Sequence, residues 1–323
     1  MKKNNGLFIH IIILGLAASP LAIAEGEQAE TSMAPPTSQH SDIDTQNTTK
    51  ITNNRVIPNP EQARIKALKE ELKQNHLTHQ INLLEAQGVS FLTLYRQALT
   101  GDSQGCVVLL PANHQHPDWP SVISPLRNLL PKYSWCTLSI ELPDIPQHTK
   151  TTQTTGSKQQ LPNQAIVFAR IQEAISDAKT KGHTKFVFLG YGSGAAYAMH
   201  FLAENKAQGD ALVLINIASS YSINDYDLAQ DLQKIEQPVL DYYRDNTHES
   251  IRFAMWRKQA ANQSNSEKDR FIQLDSMTRT RGITDNQDQI IQRVRGFLKQ
   301  YTQQSEQQKS LPEYKKGLFY QSP

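Results

Sequence analysis

Residues 185–198, KFVFLGYGSGAAYA, decide the fold. Phe186, Val187, Phe188 and Leu189 are apolar without alternation, the pattern of a strand covered on both faces in a parallel sheet. Gly190, Gly192 and Gly194 then punctuate a tight turn, and Ala195, Ala196 and Ala198 begin a helix whose small side chains let it lie close to the strand. Buried strand, turn and close-packed helix form the unit from which α/β sheets are built.

Outward from this stretch the same alternation recurs. Upstream, Gly105–Pro111 (GCVVLLP) and Trp135–Leu142 read as buried strands with a helix at 122–130 between them. A second helix, with Val167, Ile171, Ala174, Ile175 and Ala178 on one face, feeds the central strand. Downstream, 211–217 and 238–242 read as further buried strands and 270–274 as the last. Ile290, Ile291, Val294, Phe297, Leu298 and Tyr301 make the inner face of a closing amphipathic helix. Nearer the start, Ile65, Leu68 and Leu72 mark a helix from Pro60, and 80–86 with 89–98 a hairpin around Gly88. The expected fold class is α/β, a mostly parallel sheet covered by helices on both faces.

The ends of the chain read differently. Lys2 and Lys3 precede an apolar run over 7–18, and Ala22-Ile23-Ala24 supplies a cleavage signal, so residues 1–24 are expected to be a signal peptide cleaved after Ala24. The product is then periplasmic or secreted, with no later stretch long enough to span a membrane. Residues 25–55, rich in Gln, Ser, Thr, Pro and Asn, read as a disordered linker; the folded domain is expected over 56–302, with a low-complexity surface insertion at 150–162 and a polar tail at 303–323. A hydrophobic content of 38% and a mean hydropathy of −0.53 agree with much polar sequence outside the core. The 33 basic side chains face 31 acidic ones, and loss of Lys2 and Lys3 leaves formal neutrality, which argues against binding to nucleic acid. Cys106 and Cys136 each begin a strand-like run in an oxidising compartment. A bridge between them is one reading; because bridges between adjacent parallel strands are geometrically awkward, two separate buried thiols are expected.

A strand-to-helix turn with glycine two residues either side of its apex has the layout of the nucleophile elbow, G-x-S-x-G. Here the residues are G-Y-G-S-G, so Gly190 and Gly194 flank an apex occupied by Gly192. Placing Ser193 at the apex would require a small residue at 191, where Tyr191 stands. Ser193 therefore reads as the residue after the nucleophile, whose backbone N–H serves an oxyanion hole. Ala112 and Asn113, following the strand at 105–111, stand where the second oxyanion donor belongs. The glycines equally serve a structural end, close approach of helix and strand.

The segments GCVVLLPANHQHPDWPSVISPLRNLLPKYSWCTLSIELP, FVFLGYGSGAA, QPVLDYY and RVRGFL together resemble a family of proteobacterial α/β-hydrolase-like proteins catalogued as a domain of unknown function. The resemblance covers roughly residues 60–300. It implies an α/β-hydrolase fold in an exported protein and brings no substrate with it.

A serine hydrolase of this fold needs nucleophile, acid and histidine base in that chain order. Asp241 and Asp245 are placed for the acid, but no histidine follows His248. With Gly192 at the apex, two of the three positions look empty. A rescue through Ser193 with His248 or His114 is conceivable. His114, His116 and Asp118 open a loop with H-x-H-x-D spacing, the beginning of a zinc-hydrolase motif; Trp119 follows where a further histidine is usual, so a pocket-mouth loop is the better reading. Gly190, Gly192 and Ala195 fit a relaxed dinucleotide fingerprint, but the next strand, ALVLINI, lacks the acidic residue that holds a ribose. No cofactor and no metal are expected. The sequence points to a degenerate elbow above a pocket for a small-molecule or envelope ligand, with an active esterase or acyl hydrolase using Ser193 as the alternative.

Overall fold

The computed structural model describes residues 59–145, 160–220, 222–244, 247–263, 270–276 and 283–302, all within the unit Val56–Pro323. The expected signal peptide, linker, insertion and tail lie essentially outside these residues, as does Asp245.

The chain runs α1 (Pro60–Gln74), β1 (Ile81–Ala86), β2 (Val89–Arg96), β3 (Gly105–Leu110), α2 (Ile123–Leu129), β4 (Trp135–Ile140), α3 (Gln164–Thr180), β5 (Phe186–Tyr191), α4 (Ser193–Glu204), β6 (Ala211–Ile215), α5 (Asp225–Ala229), β7 (Val239–Arg244), α6 (His248–Gln263), β8 (Phe271–Ser276) and α7 (Ile283–Tyr301). The eight strands form one sheet in the order β1-β2-β4-β3-β5-β6-β7-β8. β1 and β2 join antiparallel, and everything from β4 to β8 is parallel.

Each central strand is buried on both faces and divides its side chains between two cores. Cys106, Val108, Phe188 and Leu212 enter the layer beneath α3, α4 and α6. Val107, Leu109, Leu189 and Val213 enter the layer beneath α2 and α7. α1 closes the antiparallel end by packing Ile65, Leu68 and Leu72 on Leu92 and Leu94. The expected helix–strand order is present; α5 and α6, which the sequence reading passes over, are the additions.

The two cysteines correct an expectation. Cys106 and Cys136 are register partners on β3 and β4, 4.4 Å apart at Cα, and form a disulfide. In-register neighbours present their side chains to the same face of the sheet, and both sulfurs enter the α3/α4 core.

Candidate functional site

β5 delivers the chain to the elbow at the carboxyl edge of the sheet, where ligands bind in open α/β folds. Gly192 adopts φ 58°, ψ −123°, a conformation that L side chains rarely adopt, and α4 starts at the next residue. Its N–H bonds Ile215 O, and its own carbonyl accepts from Ala195 N and Ala218 N, so the turn is locked from both sides. The flanking glycines are packing requirements: a Cβ on Gly190 would lie 2.2 Å from Ala195 Cα, and one on Gly194 would lie 2.2 Å from Leu110 O. A Cβ on Gly192 would stand 2.8 Å from the Ala112 methyl. The turn is thus an elbow in shape, but the space for a nucleophile's side chain is taken by Ala112.

Among the described residues Ser193 hydrogen-bonds no histidine. Its Oγ accepts a hydrogen bond from the backbone N–H of Asn113 at 2.7 Å. Asn113 is one of the two positions expected to offer an oxyanion donor, so the serine hydroxyl occupies the donor that a developing oxyanion would need. The same loop is fastened further out: Asn113 Oδ1 accepts from Ile145 N at 2.8 Å, Ala112 N donates to Gln115 Oε1 at 3.3 Å, and His114 Nδ1 lies 3.1 Å from Asp144 Oδ2. Asp144 is also paired with Arg64 at 2.5 Å.

The expected acid is engaged elsewhere. Asp241, fully buried on β7, accepts from Arg257 Nε at 2.9 Å and Nη2 at 3.2 Å, and from Gln273 Nε2 at 2.8 Å. Both carboxylate oxygens of Asp241 are thus engaged by side chains of α6 and β8, and no histidine is among these partners. His248 is exposed in the first turn of α6 and shares no hydrogen bond with Ser193.

The side chains of His114, His116 and Asp118 turn to separate partners rather than to one another. Asp118 is held by Arg127 through two hydrogen bonds, at 3.0 and 2.8 Å, and His114 turns to Asp144. His116 Nδ1 accepts from Asp118 N at 3.2 Å, and its ring meets Trp119 edge-on at 5.2 Å. Burial, outweighing the Asp118 charge, lowers the His116 pKa from its ordinary value. Among the described residues the one cluster of metal-ligand type is Cys106, Cys136 and His183, whose two sulfurs are already bonded to each other.

Beside the elbow, a cavity of about 270 Å³ opens between the ends of β5, β6 and β7 and the first turns of α6. Tyr191, Asn216, Tyr243, Arg244, Phe253 and Arg257 line it. The sequence reading missed Asn216, Arg244 and Arg257. One signal was available: Asp241 inside the apolar run PVLDYY demands a buried cation, and α6 supplies it.

A family model described as "Protein of unknown function (DUF3530)" matches residues 7–300. No curated protein matches the chain. Among solved structures, a protein described as a dienelactone hydrolase from Klebsiella pneumoniae subsp. pneumoniae is similar with a TM-score of 0.50 and 16% identity, over 68% of this chain and 98% of its own. An esterase from Pyrococcus furiosus is similar with a TM-score of 0.50 and 13% identity, over 68% of this chain and 90% of its own. At these identities the likeness is one of fold, and the fold is that of the α/β-hydrolases.

Proposed function

We propose, from the premise that the chain belongs to the DUF3530 family of proteins of unknown function, that it is an exported binding protein on an α/β-hydrolase frame, without conventional serine-hydrolase activity. The observation that carries this reading is the contact between Ala112 and Gly192: the apex residue has no side chain, and a methyl from the neighbouring loop fills the place of one. Two further facts support it. The Ser193 hydroxyl is spent on the Asn113 N–H, and Asp241 is spent on Arg257. What is left of the site is a cavity at the carboxyl edge, the usual ligand position of this architecture.

The test is fluorophosphonate labelling of the purified protein from Glu25 onward, with Ser193→Ala beside it and short- and long-chain acyl esters as substrates. The expected result is no labelling and no turnover in either protein. Labelling or turnover that disappears in Ser193→Ala overturns the reading.

One observation favours a second reading, an acyl hydrolase with a displaced triad. Asp144 orients His114, the residue after the amide that holds Ser193. If a substrate drew the serine off that amide, Ser193, His114 and Asp144 would be the groups to act as nucleophile, base and acid. In that event labelling is lost in Ser193→Ala and falls about a hundredfold or more in His114→Gln.

A further inference from the structure

The cavity beside the elbow carries charged, amide and aromatic groups in its wall. Among the described residues the lining holds two arginines and no carboxylate. Arg257 is neutralised by Asp241, which is fully buried. Arg244 is exposed at the end of β7 and makes no ion pair among the described residues. A guanidinium so placed offers a fixed positive charge and a fork of donors that matches a carboxylate or a phosphate. At the end of the adjoining strand, Asn216 sits at φ 46° with its backbone N–H on Tyr242 O, and its side-chain Oδ1 is buried without a hydrogen-bond donor. A buried acceptor left unpaired is costly, and a ligand carrying an O–H or N–H removes that cost. Tyr191, Tyr243 and Phe253 contribute the aromatic part of the lining. The cavity, of about 270 Å³ and open to solvent, suits an occupant the size of a substituted phenyl ring rather than a polymer.

We infer that this cavity takes a small organic oxyanion: a carboxylate or phosphate on Arg244, an O–H or N–H donor on Asn216 Oδ1, and a flat apolar body among the aromatic rings. The inference rests on the binding-protein reading above and gives the class of its ligand.

Calorimetric titration of the purified protein tests it with four probes: 4-hydroxyphenylacetate, its methyl ester, phenylacetate and phenyl phosphate. The free acid is expected to bind about tenfold or more tightly than its ester, and the hydroxylated acid more tightly than phenylacetate. Comparing phenylacetate with phenyl phosphate decides which oxyanion is preferred. Arg244→Gln, at an exposed position, is expected to keep the wild-type melting temperature and to abolish the difference between acid and ester. Asn216→Gly keeps the left-handed backbone accessible and removes the preference for the hydroxyl. Equal binding of acid and ester, an acid–ester difference unchanged in Arg244→Gln, or no heat with any probe overturns the inference. Fluorophosphonate labelling at Ser193 would instead overturn the non-catalytic reading and leave the titration result standing.

Discussion

At Gly192 a side chain would face two demands at once: a backbone at φ 58°, ψ −123°, and the Ala112 methyl 2.8 Å from its own Cβ. Gly192→Ser is therefore expected to lower stability by about 2–4 kcal/mol, the sum of backbone strain and overpacking. Adding Ala112→Gly removes the steric part and recovers about 1 kcal/mol or more of that loss. Urea denaturation of the single and double variants checks both numbers, and a Gly192→Ser protein as stable as the wild type would refute the steric account. Next door, Ser193→Ala leaves the Asn113 N–H without its acceptor, at a cost of about 1–2 kcal/mol. The sharper readout is the Asn113 amide itself, whose hydrogen exchange should accelerate while β5 amides stay protected. The glycine spacing made the turn legible in the sequence. The Ala112 contact was not, because it joins residues 80 positions apart and depends on a tenth-of-nanometre fit that no local pattern encodes.

At the scale of elements, α6 and β7 are held together by a charge pair inside the core. Arg257 and Asp241 are both almost completely buried, and the guanidinium also lies 4.3 Å from the centre of the Phe253 ring. Removing one partner strands the other: Asp241→Ala is expected to cost about 3–5 kcal/mol, whereas Asp241→Leu combined with Arg257→Met costs far less. A double-mutant cycle in urea separates these outcomes, and additive losses would show that the pair is not coupled. The same pair explains why α6 is hard to read. Its buried positions are Phe253, Ala254, Arg257 and Ala260, so an arginine interrupts the apolar stripe that announces a helix. The closing helix α7 suffers no such interruption, and its apolar stripe is plain in the sequence. Likewise, the cysteine spacing says nothing of register, and register is what brings Cys106 opposite Cys136.

For the molecule as a whole, stability should depend on pH through histidines that are buried rather than paired with acids. His183 packs at the amino end of the sheet, its Nε2 3.0 Å from Tyr95 Oη, and burial, assisted by Lys181, lowers its pKa from the ordinary 6.5. A lowered histidine binds fewer protons folded than unfolded, so its contribution is present above pH 6.5 and is lost as the pH falls toward the folded value. His116 acts in the same direction. Glu141, raised chiefly by burial, acts oppositely in a window above its ordinary 4.5. Melting curves from pH 8 to 5 should therefore show a decline below about 6.5 that is shallower in His183→Gln; parallel curves for the two proteins would exclude His183 as a source. Reduction tests the sheet separately: by loop-closure entropy the Cys106–Cys136 bridge, spanning 30 residues, is worth about 3–4 kcal/mol. The architecture was legible because alternating buried strands and amphipathic helices are local patterns. The cavity was not, because three strand ends and one helix compose it.

The Ala112–Gly192 contact also orders the steps of inheritance. Glycine to serine and alanine to glycine can each arise by a single-base change, yet their order is not interchangeable. A lineage that acquires serine at 192 first passes through a strained intermediate, whereas one that first loses the methyl at 112 keeps the turn intact and opens the space in advance. Within this family, glycine at the position of Ala112 should therefore precede serine at the position of Gly192, and chains with serine at the apex and alanine in the loop should be rare.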